Sequence, residues 1–454
     1  MKSGILTIAM IAAMLAFTGL PALQAQPAGS PGTTITVNSL GDGNVIVFPG
    51  DPLPCTLRDA IRAANTNLAV GGCPAGMAPH FVSASPLRID FIDRIVFNVG
   101  TGTPRIQLRT GLPTVTEAVT IDGATGGATR VEIAGNQILS FFGPVHGLIV
   151  TGTYATLKSL VVNGFTGHGV ALTRLDANGQ IVVAPDNSTL PPSNTGGGGN
   201  TVLDCLIGTD AAGASAAPNG SGTTAAAGVA IFSPGNTVGG TGAGARNVIS
   251  GNRGYGVLID GVNNRLTGNF IGTGLSSSVS LANQFDGVFV AGGAFSNASG
   301  EIRENTIANN GGDGVEGGFN VISILSNRIY SNGGLGIERA ALGVTANDPT
   351  GSRTRPPNFP ILQASTASIL GGTTIFGQIT QFSTSPITLQ FFYSTTCDPS
   401  GNGEGASYIG SITVNGGTPT LFQFNTRSLF LKGYFTATAT TALGTSEFSA
   451  CLGN

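Results

Sequence analysis

The sequence predicts an all-β protein: a right-handed parallel β-helix with a short N-terminal capping helix, followed by an immunoglobulin-like β-sandwich. Three observations predict this fold class. Short units of glycine and alternating hydrophobic residues recur between residues 91 and 346. Asparagine or glycine ends each unit, as tight turns require. After residue 346 the units give way to longer alternating strands.

The composition is that of a folded protein with few charges. Hydrophobic residues make up 41% of the 454 residues and the mean hydropathy is +0.25, so the chain can bury a core. Charged residues make up 9%, against roughly 25% in a typical soluble domain. The 20 basic and 23 acidic residues give a net charge of −3, which argues against a nucleic-acid-binding protein.

The first 25 residues are typical of a secretory signal peptide. Lys2 precedes an apolar run over residues 5–20, and Ala25 is a small residue at the expected cleavage position. The run is shorter than the ~20 apolar residues that cross a bilayer as a helix. No later stretch is apolar enough to do so. We therefore expect a secreted or outer-surface protein without a membrane span after removal of this peptide.

Export permits disulfide bonds, and the five cysteines fall into local groups. We predict the pairs Cys55–Cys73 and Cys397–Cys451. Cys205 is left over, and it occupies the place in a repeat unit that Asn269 fills 64 residues later. We interpret it as a buried free thiol rather than a reactive nucleophile.

One helix is predicted near the start of the folded chain. Thr56 and Asp59 have the spacing of a capping box. The apolar residues that follow share one helical face, and they are Leu57, Ala60, Ile61 and Ala64. Because an open β-helix end exposes unpaired strand edges, we assign residues 26–90 to an N-terminal cap.

Residues 91–346 are predicted to form the coils. The repeat glycines are spaced 31, 27 and 22 residues apart, at Gly256, Gly287, Gly314 and Gly336. Alternation predicts that six side chains point into the bore: Val257, Ile259, Val288, Val290, Val315 and Ile337. It predicts that four point outward: Leu258, Phe289, Glu316 and Glu338. Stacked asparagines at the turns can form hydrogen-bonded ladders between coils.

The last part of the chain is predicted to be a separate module. Residues 347–358 contain three prolines and are interpreted as a linker. About seven short strands follow within residues 359–454, the last over residues 447–451, and this density is typical of an immunoglobulin-like sandwich.

An N-terminal motif connects the chain to a known family. Residues 55–60 read Cys-Thr-Leu-Arg-Asp-Ala, which resembles the Cys-Ser-Leu-Arg-Glu-Ala motif of secreted bacterial β-helix proteins. Residues 247–252 and 268–273 are similar to the pectin-lyase-like parallel β-helix repeats of those proteins. Residues 358–451 resemble a module that often follows such repeats. The resemblance implies the architecture and implies no activity, because a fold does not determine a function.

Four acidic residues in the last coils form the candidate site. Asp286 and Asp313 each precede a repeat glycine, and Glu316 and Glu338 each follow one by two residues. Stacked coils would bring these carboxylates about 4.8 Å apart. All four are candidate catalytic groups, and Asp286, Asp313 and Glu316 are candidate Ca²⁺ ligands, because Ca²⁺ prefers oxygens. A Ca²⁺-assisted lyase would also need a base, for which the nearby candidates are Arg303, Arg328 and Arg339. The sequence favours the alternative, a solvated acidic edge.

Other chemical motifs are sparse. Residues 167–169 read Gly-His-Gly, a tripeptide of β-helix polygalacturonases, but the other motifs of those enzymes do not occur in the expected order. We interpret His168 as structural. The chain has no Trp and six Tyr, so aromatic platforms for sugars are scarce.

The sequence thus favours a non-catalytic secreted or cell-surface protein with an adhesion, recognition or matrix role, and no cofactor other than the Ca²⁺ considered above. The expected partners are extracellular polysaccharides or surface proteins, and not nucleic acid. The alternative is an extracellular polysaccharide lyase or glycoside hydrolase acting on acidic polysaccharide. The sequence leaves the ligand and the oligomeric state open.

Overall fold

The computed structural model describes residues 30–43, 52–82, 88–141, 143–176, 180–182, 197–222, 226–291, 298–317, 321–339, 342–351, 357–368, 371–383 and 385–454. The signal peptide predicted for residues 1–25 lies outside this set. Within the set, no helix is long and apolar enough to span a membrane.

The coils form three parallel sheets, whose strands are numbered in chain order and given in spatial order. Sheet 1 contains β1 (Pro31–Val37), β4 (Ile92–Phe97), β6 (Val119–Asp122), β9 (Thr156–Lys158), β12 (Thr201–Leu203), β15 (Thr237–Gly239), β18 (Asn264–Thr267), β21 (Ser299–Arg303) and β24 (Val321–Leu325). Sheet 2 contains β5 (Arg105–Gln107), β7 (Val131–Ala134), β10 (Leu160–Asn163), β13 (Leu206–Ile207), β16 (Val248–Ile249), β19 (Phe270–Ile271), β22 (Thr306–Ala308) and β25 (Arg328–Tyr330). Sheet 3 contains β8 (Leu148–Val150), β11 (Val170–Leu172), β14 (Ala227–Ile231), β17 (Tyr255–Ile259), β20 (Val288–Val290), β23 (Val315–Gly317) and β26 (Ile337–Glu338). The architecture is a parallel β-helix, as the sequence predicts. Strand β1, inside the segment assigned to the cap, is already part of sheet 1.

The predicted register is confirmed in sheet 3. Val257 pairs with Val288, Val288 with Val315, and Val315 with Ile337. All six side chains predicted to point into the bore are at most 2% exposed.

Two of the four residues predicted to point to solvent are instead buried. Leu258 is 0% exposed because Val182 and Phe232 cover the outer face of sheet 3 there. Glu338 is 6% exposed, and its carboxylate accepts the backbone N–H groups of Arg339 and Gly343. Residues outside the strands cover the coil at these points, and strand alternation alone does not reveal them.

Asparagine ladders join the coils, as predicted. In the first ladder, each Nδ2 donates to the Oδ1 of the next asparagine over 2.9–3.0 Å, through Asn247, Asn269, Asn305 and Asn327. Cys205 stands at the head of this ladder, where its backbone N–H donates to Asn247. Its thiol is buried and forms no disulfide among the described residues, and burial raises the thiol pKa to about 12. A second ladder runs through Asn219, Asn252, Asn283, Asn310 and Asn332.

The N-terminal end of the coil is closed by helix α1 (Leu57–Thr66). Thr56 caps the helix by accepting the N–H of Asp59, and the predicted apolar face is buried against the first coil. The Cys55–Cys73 disulfide is present. Arg58 is buried and pairs with Asp42, and it donates to the carbonyls of Thr110 and Gly111. A two-stranded hairpin, β2 (His80–Val82) and β3 (Arg88–Asp90), completes this end.

The C-terminal module is a sandwich of two antiparallel sheets. Sheet 4 contains β27 (Ile361–Ser368), β28 (Gly372–Gln381) and β31 (Gly417–Thr426). Sheet 5 contains β30 (Ser407–Val414), β29 (Ile387–Ser394), β32 (Tyr434–Thr441), β33 (Gly444–Thr445) and β34 (Leu452–Gly453). Residues 447–451, predicted as a strand, form only an isolated bridge through Ala450. The sequence did not predict β27, because most of its side chains are exposed and it lacks a clear alternation. The Cys397–Cys451 disulfide is present.

The sandwich closes the other end of the coil. In sheet 1, the N–H of Ile324 donates to Thr445 and that of Ser326 to Gln390. In sheet 2, Ile329 exchanges both backbone hydrogen bonds with Gly405. In sheet 3, the N–H of Arg339 donates to Glu447. Two aromatic side chains of the module, Phe392 and Phe448, join the hydrophobic core of the coil.

Candidate functional site

Two of the candidate carboxylates, those of Asp286 and Asp313, belong to one column of side chains along sheet 3. The residue before each repeat glycine lies in register with its counterpart one coil away. In spatial order this column is His146, His168, Ala227, Tyr255, Asp286, Asp313 and Leu335.

Four side chains of the column have the same structural role, because each accepts the backbone N–H of the next member. Nδ1 of His146 accepts the N–H of His168 at 2.9 Å, and Nδ1 of His168 accepts that of Ala227 at 2.9 Å. Oδ1 of Asp286 accepts the N–H of Asp313 at 2.7 Å. Oδ1 of Asp313 accepts that of Leu335 at 2.5 Å. His168 thus holds the next coil through Nδ1, and the two aspartates do the same through Oδ1, which the sequence analysis did not foresee.

The structure brings three of the four acidic residues together. One oxygen from each of Asp286, Asp313 and Glu316 lies within 4.8 Å of the other two. Glu338 is paired in register with Glu316, but its two oxygens are held by backbone amides beyond the cluster.

Burial raises the pKa of three of these carboxyl groups, those of Asp286, Asp313 and Glu338. It is the main cause that raises the pKa of Asp286 to about 7, and a hydrogen bond from its carboxyl group to that of Glu316 adds to the effect. Burial and the charge of Asp286 raise the pKa of Asp313 to about 6. Burial, with the charges of Glu447 and Asp313, raises the pKa of Glu338 to about 7. Near neutral pH the carboxyl groups of Asp286 and Glu338 are therefore only partly ionised.

The donor set fits Ca²⁺ only in part. Calcium takes 6–8 oxygen ligands. Asp286 and Asp313 each commit one oxygen to a backbone amide, so the cluster offers a cation fewer oxygens than its three carboxyl groups contain. The Ca²⁺ site stays a prediction.

An aromatic cluster borders the carboxylates. The rings of Tyr255 and Phe289 stack with centroids 4.7 Å apart, and Phe285 meets Tyr255 edge-on at 5.4 Å. All three side chains are half-buried. We call these aromatic residues, together with Asp286 and Glu316, the flank patch. In the sequence, one tyrosine before a repeat glycine was the only indication of this patch, because its members come from different coils.

The three arginines considered as bases are engaged elsewhere. Arg303, in sheet 1, pairs with Glu301 and Glu304. Arg328, in sheet 2, donates to the carbonyl of Ala406. Arg339 is fully buried at the junction with the sandwich. Proximity in sequence thus misled the prediction, because successive strands of a coil belong to different faces.

No family model matches the chain. No curated protein matches it either. Among solved structures, it is similar to the full-length tailspike protein 2 of an Escherichia coli O157:H7 bacteriophage, at 12% identity and a TM-score of 0.17 over 77% of this chain and 61% of that chain. It is also similar to the enzymatically active domain of tailspike protein 2 of bacteriophage CBA120, at 12% identity and a TM-score of 0.16 over 77% of this chain and 68% of that one. The chain thus spans about three fifths of the length of the full-length tailspike.

Proposed function

We propose that the protein is a secreted recognition rod that binds an extracellular polysaccharide on the flank patch without cleaving it. The observation that carries this proposal is the partly exposed aromatic cluster beside the grouped carboxyl groups of Asp286 and Glu316. Aromatic faces pack against the C–H faces of sugar rings, and carboxyl groups exchange hydrogen bonds with sugar hydroxyls.

The spacing of the carboxyl groups supports binding over hydrolysis. Glycosidases place their two carboxyl groups roughly 5–9.5 Å apart, so that the scissile bond fits between them. One oxygen from each of Asp286, Asp313 and Glu316 instead lies within 4.8 Å of the other two, which is closer than this range. Asp286 also holds the next coil in place, which leaves it little freedom to move as a catalyst.

Secretion rests on the N-terminal sequence and on the disulfides. The apolar leader is typical of export. Two disulfide bonds persist more readily outside the cytosol than within it. An adhesion or matrix role follows from a long rod with a lateral contact surface.

Binding to a panel of neutral and acidic polysaccharides, with parallel assays for reducing ends and unsaturated products, tests this proposal. We expect binding without products, and about a two- to tenfold loss of affinity in Phe289→Ala. Phe376→Ala is the matched control, because Phe376 is 37% exposed on the sandwich, away from the patch. Unchanged affinity in Phe289→Ala would refute the assignment. Products that disappear in Glu316→Gln would establish the lyase or hydrolase alternative instead.

A further inference from the structure

A polar pocket lies where the last coil meets the sandwich. It has a volume of about 220 Å³. Its walls come from the end of β25, the end of β29 and the loop after β29, and they include Tyr330, Ser331, Thr395, Thr396 and Asp398. The pocket is therefore complete only when the two modules are docked.

We propose that this pocket binds a single neutral sugar residue, at a site separate from the flank patch. Four hydroxyl groups line it that form no internal hydrogen bond within the described chain, on Tyr330, Ser331, Thr395 and Thr396. Hydroxyls both donate and accept, as the hydroxyls of a sugar do. The ring of Tyr330 adds an apolar surface to the wall.

The charges of the pocket select against acidic ligands. Its charged lining residues are Asp398 and Glu404, both carboxylates. The guanidinium of Arg328 lies beside the pocket, where it donates to the carbonyl of Ala406 and stands over the ring of Tyr330.

Glu404 faces inward to the coil, where its oxygens accept the N–H groups of Ser331 and Asn332. Oδ1 of Asp398 accepts the N–H of Ser400, so Oδ2 is the oxygen that meets a ligand; it accepts hydrogen bonds from sugar hydroxyls and repels a uronate.

The size of the pocket indicates one ring. Pockets for drug-sized ligands enclose roughly 300–1,000 Å³, so a volume of about 220 Å³ suits one sugar ring rather than an oligosaccharide buried along its length.

Covalent and hydrogen bonds hold the loop that forms one wall of the pocket. The Cys397–Cys451 disulfide anchors the loop. Oδ1 of Asp398 accepts the N–H of Ser400 at 2.8 Å, and Asn402 donates to the carbonyl of Phe448 at 3.1 Å. A site held in its binding geometry loses little entropy on binding, which raises the affinity for a small ligand.

Saturation-transfer and titration NMR on the full chain tests the proposal, with methyl glycosides of glucose, galactose and mannose and with galacturonate as probes. We expect at least one neutral glycoside to bind and galacturonate not to bind. Asp398→Asn should weaken binding by about tenfold, and Thr396→Val should weaken it less. The matched control is Asp348→Asn, because Asp348 lies outside the pocket and has the same local hydrogen bond as Asp398. Its Oδ1 accepts the N–H of Thr350, two residues later, at 2.8 Å.

Two results would overturn the inference: no neutral glycoside binds, or Asp398→Asn binds as well as the unmodified protein. Phe289→Ala separates this site from the proposed function. It should lower polysaccharide affinity at the flank patch and leave glycoside binding at the junction unchanged.

Discussion

The two ends of the coil are closed by different means. At the N-terminal end a ten-residue helix lays its apolar face over the bore, and a disulfide with a sequence separation of 18 ties it down. At the C-terminal end a whole β-sandwich supplies hydrogen-bond partners to the last strand of each sheet and inserts two phenylalanines into the core.

This contrast shows two ways in which a solenoid can end. A helix cannot form backbone hydrogen bonds with strand edges, so the N-terminal cap only covers the core. The backbone groups of the loop beneath it are hydrogen-bonded instead by the side chains of Arg58, Asp42 and Asn65. The sandwich can place hydrogen-bonding groups where the next coil would place them, so it continues the hydrogen-bond pattern of the coils. The carboxylate of Glu404 takes the place of the next asparagine in the second ladder, accepting from Nδ2 of Asn332 at 3.1 Å. The C-terminal module is thus a cap as well as a separate fold.

Breaking the aromatic contact of the C-terminal cap should have the largest effect. Phe448 is 3% exposed and packs edge-on against Phe392. Phe448→Ala should lower the free energy of unfolding by about 3–5 kcal/mol, measured by urea denaturation. Ile61→Ala is the counterpart at the helix. A loss below about 1 kcal/mol in Phe448→Ala would show that the sandwich does not support the coil.

Removing each disulfide should have the next largest effect and should rank the two closures. In the loop-entropy description, the separation of 54 residues for Cys397–Cys451 corresponds to about 4 kcal/mol, and the separation of 18 for Cys55–Cys73 to about 3 kcal/mol. We expect the losses in unfolding free energy to follow this order when each cysteine pair is replaced by alanines and the variants are unfolded in urea. A larger loss on removing Cys55–Cys73 than on removing Cys397–Cys451 would contradict this order. It would mean that the N-terminal cap depends more on its disulfide than the C-terminal cap does.

Glu404 offers a finer test of the C-terminal end. Its carboxylate accepts the backbone N–H groups of Ser331 and Asn332. Glu404→Ala leaves these donors without their partner and should cost about 1–3 kcal/mol of unfolding free energy. Glu404→Gln keeps an acceptor and should cost less. Equal losses in the two variants would indicate that the charge, and not the hydrogen bonds, is what matters.

The two halves of the sheet 3 column should respond to pH in opposite directions. Burial lowers the pKa of His146 to about 4. The unfolded chain, with a histidine pKa of roughly 6.5, binds the proton first, so this contribution to stability is lost as the pH falls from about 6.5 toward 4. Burial raises the pKa of Asp286 to about 7. As the pH rises, the folded chain loses this proton at a higher pH than the unfolded chain does. The contribution of Asp286 to stability is therefore present below about pH 4 and is lost as the pH rises to about 7.

Urea midpoints between pH 4 and 8 measure both effects. His146→Asn and Asp286→Asn each keep an acceptor for the next coil and remove the titration. Each variant should flatten one side of the profile only. A profile that either variant leaves unaltered would contradict the assigned cause.

Calcium should have the smallest effect. Extracellular sites bind Ca²⁺ with dissociation constants of roughly 10⁻⁴–10⁻³ M, so 1 mM Ca²⁺ would add about 0.4–1.4 kcal/mol of stability. We expect this gain in thermal melting to vanish in the double variant Asp313→Asn and Glu316→Gln. Melting that is independent of Ca²⁺ in the unmodified protein would remove the calcium hypothesis.

Much of the fold could be predicted because its signals repeat. Each coil must fill the same bore, so inward residues such as Val288 and Val315 recur in register. Each turn must satisfy the same backbone groups, so asparagines recur as well. Helix α1 was predictable because its cap and apolar face lie close together in the chain. Strand β27 was not, because few of its side chains are buried.

The candidate site was predictable only in part. Register placed Asp286 above Asp313, and the structure agrees. It did not show that each carboxylate accepts the next backbone N–H, since side-chain direction at a turn depends on the turn itself. The register also did not show that Tyr255 stacks on Phe289 or that Arg339 is buried.

Periodicity and local motifs were enough to specify the stacking of coils, the capping helix and the partners of four cysteines, because each of these depends on residues that repeat or lie near one another in the chain. The sequence alone did not specify which segments cover each face of the coil or what closes its C-terminal end. These features depend on packing in three dimensions. Residues 390, 404, 445 and 447 come from separate parts of the sandwich and meet only when the module packs on the last coil. The raised pKa values of Asp286 and Asp313 follow from packing in the same way, since they depend on how much water the neighbouring elements exclude.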